Sequence, residues 1–472
     1  MGARDTFDLV VIGSGPGGYR AAVLGALRGL SVAIVERGVW GGTCLNRGCV
    51  PKKDWYQTAK LAAANRTYAA RGLRGRLEPD LEVAWNHQRR VVETVRRSYV
   101  DYLKRLAVSS FAGEARFQSQ HEVVVGEDTL VAKHVVIATG SRPYLPAWAP
   151  TAPGRVITTD ELFDVPPPPG KRVGVIGSGV VGTELAFILA MLGKDVLWLT
   201  QSAPLARSRF SVSARRFLAE ALDDSGVTPR TGSRPERCTV DPDGVMLTLP
   251  GGATERADWV LLGAGRLPNV EGLGLERAAV ELGEDGFIAV DDEMRTSAPH
   301  VFAIGDCADP AMTSNHALVE AAIAVANIVA PGSRKRADIM IPEAVYSAVE
   351  LARLGLSEEE AEAAGLEPAV GFAGFESSPA ALTLDEPRGF VRVVADHDTG
   401  RLLGAEAVGP NAGEWLQAIG PHAGSDGALA ALARAAWNHP TLGEEILNAV
   451  ETLAAKWGLA HAVFGEPARP PE

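Results

Sequence analysis

Apolar residues in the early part of this chain fall in short runs separated by turn-forming glycines. In FDLVVIGSGPGGYRAAVLGALRGLSVAIVE, from Phe7 to Glu36, LVVI reads as a buried strand and the glycines as a tight turn. AAVLGAL then reads as a helix and VAIV as a second strand. The order recurs in KRVGVIGSGVVGTELAFILAMLGKDVLWLT, from Lys171 to Thr200. Each copy is a βαβ unit around G-x-G-x-x-G, and two copies in this context predict two nucleotide sites. Between them the pattern predicts a long amphipathic helix over about 81–106 and a strand-rich patch over about 114–137. That patch ends in HVVIATGSRP, where Ala138, Thr139 and Gly140 form a turn. VPPPPG, residues 165–170, reads as a stiff linker, and HVFAIGDCAD places Asp306 just past another buried strand. After about residue 338 the texture changes, which predicts a separate α+β domain.

The spacing assigns work to single residues. Gly13, Gly15 and Gly18 leave room for a pyrophosphate at the helix N-terminus, and Glu36, eighteen residues after Gly18, is placed to accept ribose hydroxyls. In the second copy Gly177, Gly179 and Gly182 repeat the turn, but Thr200 stands at the acidic offset. Thr200, Gln201 and Ser202 do not repel a 2′-phosphate, and Arg207 and Arg209 follow, so NADP(H) is admitted beside NAD(H).

Composition narrows the class. The chain has 472 residues, enough for two to four domains, with 46% hydrophobic and 22% charged residues. No apolar run is long enough to span a bilayer, and the N-terminus runs straight into a strand, so a cytoplasmic protein is expected. A net charge of −12 argues against nucleic acid or an anionic membrane as partner. Four cysteines are too few for a disulfide framework. Cys238 and Cys307 are isolated and read as small buried side chains, whereas Cys44 and Cys49 share GGTCLNRGCVPKK. A structural staple, a metal clip and a working redox pair are all open to them.

The motifs GSGPGGY, GGTCLNRGCVPKK, ATGSRP, GSGVVGTEL, GAGRLPN, FAIGD and HPTLGEE occur in this order over nearly the whole chain. Together they resemble the flavin-dependent pyridine nucleotide–disulfide oxidoreductases. The resemblance implies an α/β chain of two Rossmann-like dinucleotide-binding domains, one for FAD and one for NAD(P), plus a C-terminal α+β dimerisation domain. It implies a split FAD domain over 1–150 and 283–338, a NAD(P) domain over 151–282, and an interface domain over 339–472 that builds a homodimer. It assigns FAD to Gly13, Gly15, Gly18, Glu36, Thr43, Lys53, Thr139, Gly140 and Asp306. It assigns NAD(H) or NADP(H) to Gly177, Gly179, Gly182, Glu184, Thr200, Arg207 and Gly265. No metal is implied.

The cysteine question closes toward a cycling disulfide. A metal clip needs further ligands and none is close in sequence; a staple is out of place in a reducing cytosol. By resemblance Cys44 is the interchange thiol and Cys49 faces the flavin. Lys53 pairs with Glu184, with Lys52 as a rival, and Asp306 binds the ribityl chain, with a helix N-cap as the rival role. His439 and Glu444 match the family's base and its orienting carboxylate, acting across the dimer on the partner's Cys44. Gly443 departs from the serine common in the family.

Mercury reduction is rejected because no cysteine follows Cys307. GSGPGGY, GGTCLN and VYSAVE resemble the branch that oxidises dihydrolipoyl groups; CVPKK with Trp55 and Thr58 resembles the NADPH-dependent glutathione branch, for which Arg20 is a candidate carboxylate ligand. The first is preferred. Arg47 either tunes the thiols or favours an acidic substrate. Expected partners are a second copy of the chain and a small dithiol, disulfide or lipoyl-carrier protein. A reading of another class is a flavoprotein that carries electrons with an idle disulfide.

Overall fold

In the computed structural model, which describes residues 4–465, the apolar runs of the first repeat become the centre of a sheet. Residues 1–3 and 466–472, parts of the N-terminal and C-terminal stretches read above, lie outside the described residues. The first six strands are β1 (Arg4–Ile12), β2 (Val32–Glu36), β3 (Ser109–Ala112), β4 (Ala115–Ser119), β5 (Glu122–Val125) and β6 (Asp128–Ile137). The first eight α-helices are α1 (Pro16–Leu27), α2 (Gly42–Arg47), α3 (Cys49–Ala63), α4 (Leu81–Arg105), α5 (Thr159–Asp164), α6 (Val180–Met191), α7 (Val212–Asp224) and α8 (Ser314–Val329).

The chain divides into two units. One comprises Met1–Thr58, Pro79–Ile176 and Pro235–Asp338; the other comprises Ala59–Glu78, Gly177–Arg234 and Ile339–Glu472.

In the first unit the strand order is β3-β2-β1-β6-β5-β4, with Val301–Ala303 also pairing β6. β1, β2, β3 and β6 run parallel, and the apolar runs Leu9–Ile12, Val32–Val35 and Val135–Ile137 are buried on both faces, as a covered parallel sheet requires. Val10, Ile12, Val35, Phe117, Val135 and Ile137 are buried together. α1 lies close against β1: a Cβ on Gly25 would stand 2.9 Å from the Leu9 side chain. The amphipathic segment forms α4, whose N-cap Asp80 accepts the Val83 N–H at 3.0 Å. A second parallel sheet pairs Trp259–Leu262 with Val156–Thr158 and Arg172–Ile176. The proline run over 165–170 carries no helix or strand.

In the second unit five antiparallel strands run in the order Glu343–Tyr346, Glu350–Gly355, Leu402–Val408, Phe390–Asp396 and Pro368–Gly374. The helix Glu445–Trp457 rests on the last of these, where a Cβ on Gly371 would meet the Ala449 carbonyl oxygen at 2.1 Å. Only a residue without a side chain permits that approach. Val391, Val393, Ile446, Val450 and Leu453 fill the layer between sheet and helices. Among the described residues no helix is long and apolar enough to cross a membrane.

Candidate active site

The two glycine turns have the same geometry. Gly13 and Gly177 are left-handed, at φ 105° and 125°. A Cβ on Gly18 would stand 1.9 Å from the Gly13 carbonyl oxygen, and one on Gly182 would stand 2.3 Å from that of Gly177. A Cβ on Gly15 or Gly179 would meet nothing within 4 Å, so both turns are open at the residue beside the helix N-terminus. Backbone N–H groups at such a place suit a pyrophosphate, and both turns fit a dinucleotide.

Beside the first turn the Glu36 carboxylate accepts the Ser14 hydroxyl at 2.6 Å and the Ser14 and Gly38 N–H groups at 2.9 and 2.8 Å. This fixes a carboxylate at the end of β2. The second turn differs. Ser178, the counterpart of Ser14, pairs hydroxyl to hydroxyl with Ser202 at 3.1 Å. Thr200, at the position equivalent to Glu36, is 1% exposed, with its N–H on the Arg230 carbonyl. Ser202 stands nearer the place that Glu36 holds in the first copy. The Arg209 guanidinium is tied to Glu360 at 2.6 Å and Glu343 at 3.4 Å. Arg207 is exposed.

Further FAD candidates cluster around the end of β6. Thr139 donates its hydroxyl to the Asn269 carbonyl at 2.6 Å, and Asn269 returns an amide bond to the Thr139 carbonyl at 3.0 Å. Gly140 turns the chain at φ 68°. Asp306 accepts the Ser141 hydroxyl at 2.5 Å, and Arg266 donates to the same hydroxyl at 2.6 Å. The N-cap role considered for Asp306 falls to other residues, since α8 is capped by Thr313. Gly42, at φ 63°, comes so close to the first turn that a Cβ there would stand 2.5 Å from the Gly15 Cα. Thr43, next on α2, is half-buried. Gly265, at φ 119°, also faces open space. Lys52 and Lys53 are both half-buried, and the Lys53 ammonium lies 5.6 Å from the Tyr56 ring centroid. Glu184 is 1% exposed and accepts the Tyr346 N–H at 2.7 Å.

The cysteines sit at a break rather than along one helical turn. α2 ends at Arg47, Gly48 adopts φ −137° and ψ −109°, and Cys49 begins α3. A Cβ at Gly48 would press on the Thr43 carbonyl oxygen at 3.2 Å and the Cys44 Cα at 3.3 Å, so the missing side chain lets the two helices fold together. Both residues are thiols, Cys44 half-buried and Cys49 exposed. The Cys44 thiol is pushed well above its usual range, first by its hydrogen bond with Cys49, then by burial. Cys49 Sγ lies 3.1 Å from the Ser314 hydroxyl at the start of α8. Tyr99 on α4 stacks on Tyr19 at 4.2 Å, and its hydroxyl is pushed up by burial and then by the charge of Cys44. Sequence reading missed Ser314 and this tyrosine pair; the Thr-Ser step after FAIGD, an N-cap signal, was the available clue to Ser314.

Arg47 binds Asp164 at 2.8 Å and approaches Asp160 at 3.5 Å. Burial works against its charge, but the hydrogen bond and the charges of Asp164 and Asp160 outweigh it. Its cation therefore ties α2 to α5. Cys238 and Cys307 are buried, and burial pushes the Cys238 thiol up to about 11.

In the second unit His439 Nδ1 lies 3.0 Å from both oxygens of Glu444. The imidazole is 72% exposed while the carboxylate is only 16% exposed, so a held carboxylate orients a ring whose other nitrogen is open. A Cβ on Gly443 would make an ordinary 3.5 Å contact with the Trp437 ring, so the missing serine leaves the pair intact.

Comparison with known proteins agrees in extent. Residues 7–326 match the family model described as pyridine nucleotide-disulphide oxidoreductase, and residues 341–450 match that family's dimerisation domain. A dihydrolipoyl dehydrogenase of Thermus scotoductus is 37% identical over 462 residues, covering 95% of this chain and 97% of the relative. One of Chlorobaculum tepidum is 33% identical over 454 residues, covering 94% and 96%. Among solved structures, the HOCl-induced flavoprotein disulfide reductase of Escherichia coli superimposes with a TM-score of 0.81 at 25% identity, covering 94% of this chain and 99% of that one.

Proposed function

The chain belongs to the pyridine nucleotide-disulphide oxidoreductase family as a FAD-dependent disulfide oxidoreductase that uses NAD(H), and from that premise we propose that it is a dihydrolipoyl dehydrogenase. The observation that carries the proposal is the two-helix break that sets the Cys44 and Cys49 thiols within hydrogen-bonding reach. The two curated relatives described above, both named for this activity, support the substrate.

The first glycine turn with Glu36, Thr43, Lys53, Thr139, Gly140 and Asp306 would hold FAD. The second turn with Glu184 and Ser202 would hold the nicotinamide nucleotide. When bound, FAD supplies a two-electron acceptor between the sulfur pair and the nucleotide.

The chain's own groups handle protons and sulfur. His439 donates its Nδ1–H to Glu444, which leaves Nε2 to take a proton from the incoming thiol. The resulting thiolate attacks Cys44 in the oxidised pair, and Cys49 departs as thiolate. The second substrate thiol then attacks the mixed disulfide, releases cyclic disulfide product and leaves Cys44 with its proton. We place His439 on the partner subunit's Cys44, which its exposure supports. The domains follow the same reading: FAD on 1–150 and 283–338, nucleotide on 151–282, and homodimer contacts on 339–472. The reducing partner would be a lipoyl group on a carrier protein.

A second reading keeps NADP(H) as a co-substrate, because a Ser178–Ser202 hydroxyl pair stands where a carboxylate would repel the 2′-phosphate. One assay addresses both. Purified enzyme should reduce NAD⁺ with dihydrolipoamide and accept NADP⁺ at a measurable kcat/KM, while oxidised glutathione with NADPH turns over poorly. Cys44→Ser should abolish dihydrolipoamide turnover. Retained turnover in that variant, or preference for glutathione, would sink the reading.

A further inference from the structure

We propose that Arg20 and Arg105 form a carboxylate site on the surface where α1 meets α4, and that the dithiol substrate is therefore an acid, with free dihydrolipoate preferred to neutral dihydrolipoamide. The inference rests on the dihydrolipoyl dehydrogenase reading and names the substrate class of that same site.

Three tyrosines and two arginines build the site. Tyr19 on α1 and Tyr99 on α4 stack with ring centroids 4.2 Å and planes 13° apart. Tyr102 and Arg105 follow Tyr99 at three-residue steps, which keeps them neighbours along one side of the helix. The Arg105 guanidinium lies 5.4 Å from the Tyr102 ring centroid. Arg20 stands next to Tyr19 on α1. All of these groups act on the Tyr19 hydroxyl: burial and then the charges of Tyr99 and Tyr102 push it up, while Arg105 and Arg20 pull it down. The stacked pair also borders the sulfur, since the Tyr99 hydroxyl responds to the charge of Cys44. An alkyl tail whose dithiol meets Cys44 can lie along the tyrosines and bring its far end to the two cations.

Charge favours an anion there. The chain carries −12 overall, yet both arginines are exposed and, among the described residues, neither forms an ion pair. Asp101, one helical turn before Arg105, is exposed and does not pair with it. Arg47, the other cation considered for an acidic substrate, is already held by Asp164 and Asp160. A guanidinium with no carboxylate from its own chain can take one from a ligand as a charge-assisted pair. Oxidation uses the same sulfur exchange: dihydrolipoate loses two electrons and two protons, NAD⁺ takes up a hydride, and one proton is released.

The test compares two substrates that differ by one charge. kcat/KM for dihydrolipoate and for dihydrolipoamide is measured with NAD⁺ on flavin-loaded enzyme, in the natural protein, in Arg20→Gln/Arg105→Gln and in Arg20→Lys/Arg105→Lys. At low salt the natural protein should prefer the acid. The acid-to-amide ratio should fall about tenfold in the glutamine variant, mostly through the KM of the acid. The lysine variant keeps the charge and should keep most of the ratio. In the natural protein the ratio should shrink as KCl is added, because the cations are exposed. An unchanged ratio in the glutamine variant, or a natural protein that prefers the amide, would overturn the proposal. Calorimetric binding of oxidised lipoate and lipoamide separates it from the reading on which it rests. Turnover of both dithiols at one ratio in all three proteins removes the carboxylate site alone. Turnover of neither, with lipoate binding that the glutamine variant weakens, keeps the site and removes the dihydrolipoyl dehydrogenase reading.

Discussion

A single buried carboxyl shows how the fold sets chemistry one residue at a time. Glu320 on α8 is 2% exposed and accepts the Gly305 N–H at 2.7 Å, next to Asp306. Burial, and then a hydrogen bond with Asp309, push its pKa up to about 8, while Arg336, 3.8 Å away, pulls the other way. The unfolded chain binds this proton only below the ordinary value of 4.5. The folded state therefore holds a proton that the unfolded state loses, and stability falls as pH rises from about 4.5 to about 8. Glu320→Gln fixes the neutral form. Its melting temperature, measured by calorimetry on flavin-loaded protein, should fall less between pH 5 and 8 than that of the natural chain. Parallel curves would exclude a protonated Glu320. Residue-scale features of this kind were partly legible in the sequence. Glycine turns announce themselves because backbone freedom is a local need. The His439–Glu444 pair is close in sequence as well as in space.

Among elements, the contacts that tie segments together are long in sequence, and that is why pattern reading misses them. Arg47 with Asp164, Arg209 with Glu360 and Cys49 with Ser314 are separated by 117, 151 and 265 residues. Periodicity carries no trace of such pairings, so Arg47 and Arg209 looked available for ligands when each was already committed. Glu360 shows what such a commitment does. Burial alone would raise its pKa, but hydrogen bonds from Arg209 and Arg353 bring it down to about 2. They join the segment before α7 to the strand Glu350–Gly355 and to the helix Glu358–Ala363. The sign is opposite to that of Glu320. This stabilisation is present above about 4.5 and is lost as pH falls through about 2. Glu360→Gln should melt lower than the natural chain at pH 6, and the gap should narrow as pH drops toward 3. A gap independent of pH would assign the loss to packing rather than charge. The break at Gly48 was equally hidden, because the close approach that leaves no room for a side chain there shows only in the folded chain.

For the whole molecule the sharpest expectation concerns the dimer. If His439 serves the partner subunit's Cys44, Cys44→Ser and His439→Gln chains should each be inactive alone. After unfolding, mixing in equal amounts and refolding with FAD, random pairing makes half of the dimers mixed, each with one complete site. About a quarter of the natural activity should return. No recovery, with mixed dimers verified by native mass spectrometry, would place both groups of a site on one chain. The match of residues 341–450 to a dimerisation domain gives this experiment its basis. The C-terminal α+β texture was readable because it depends on patterns sustained over tens of residues. One helix, finally, binds several fortunes together. α8 presses Ala317 against Gly17 and Gly305, holds Gly305 through Glu320, and reaches the sulfur pair through Ser314. Any change that shifts this helix would therefore disturb the first glycine turn, the Gly305 backbone and the sulfur pair together.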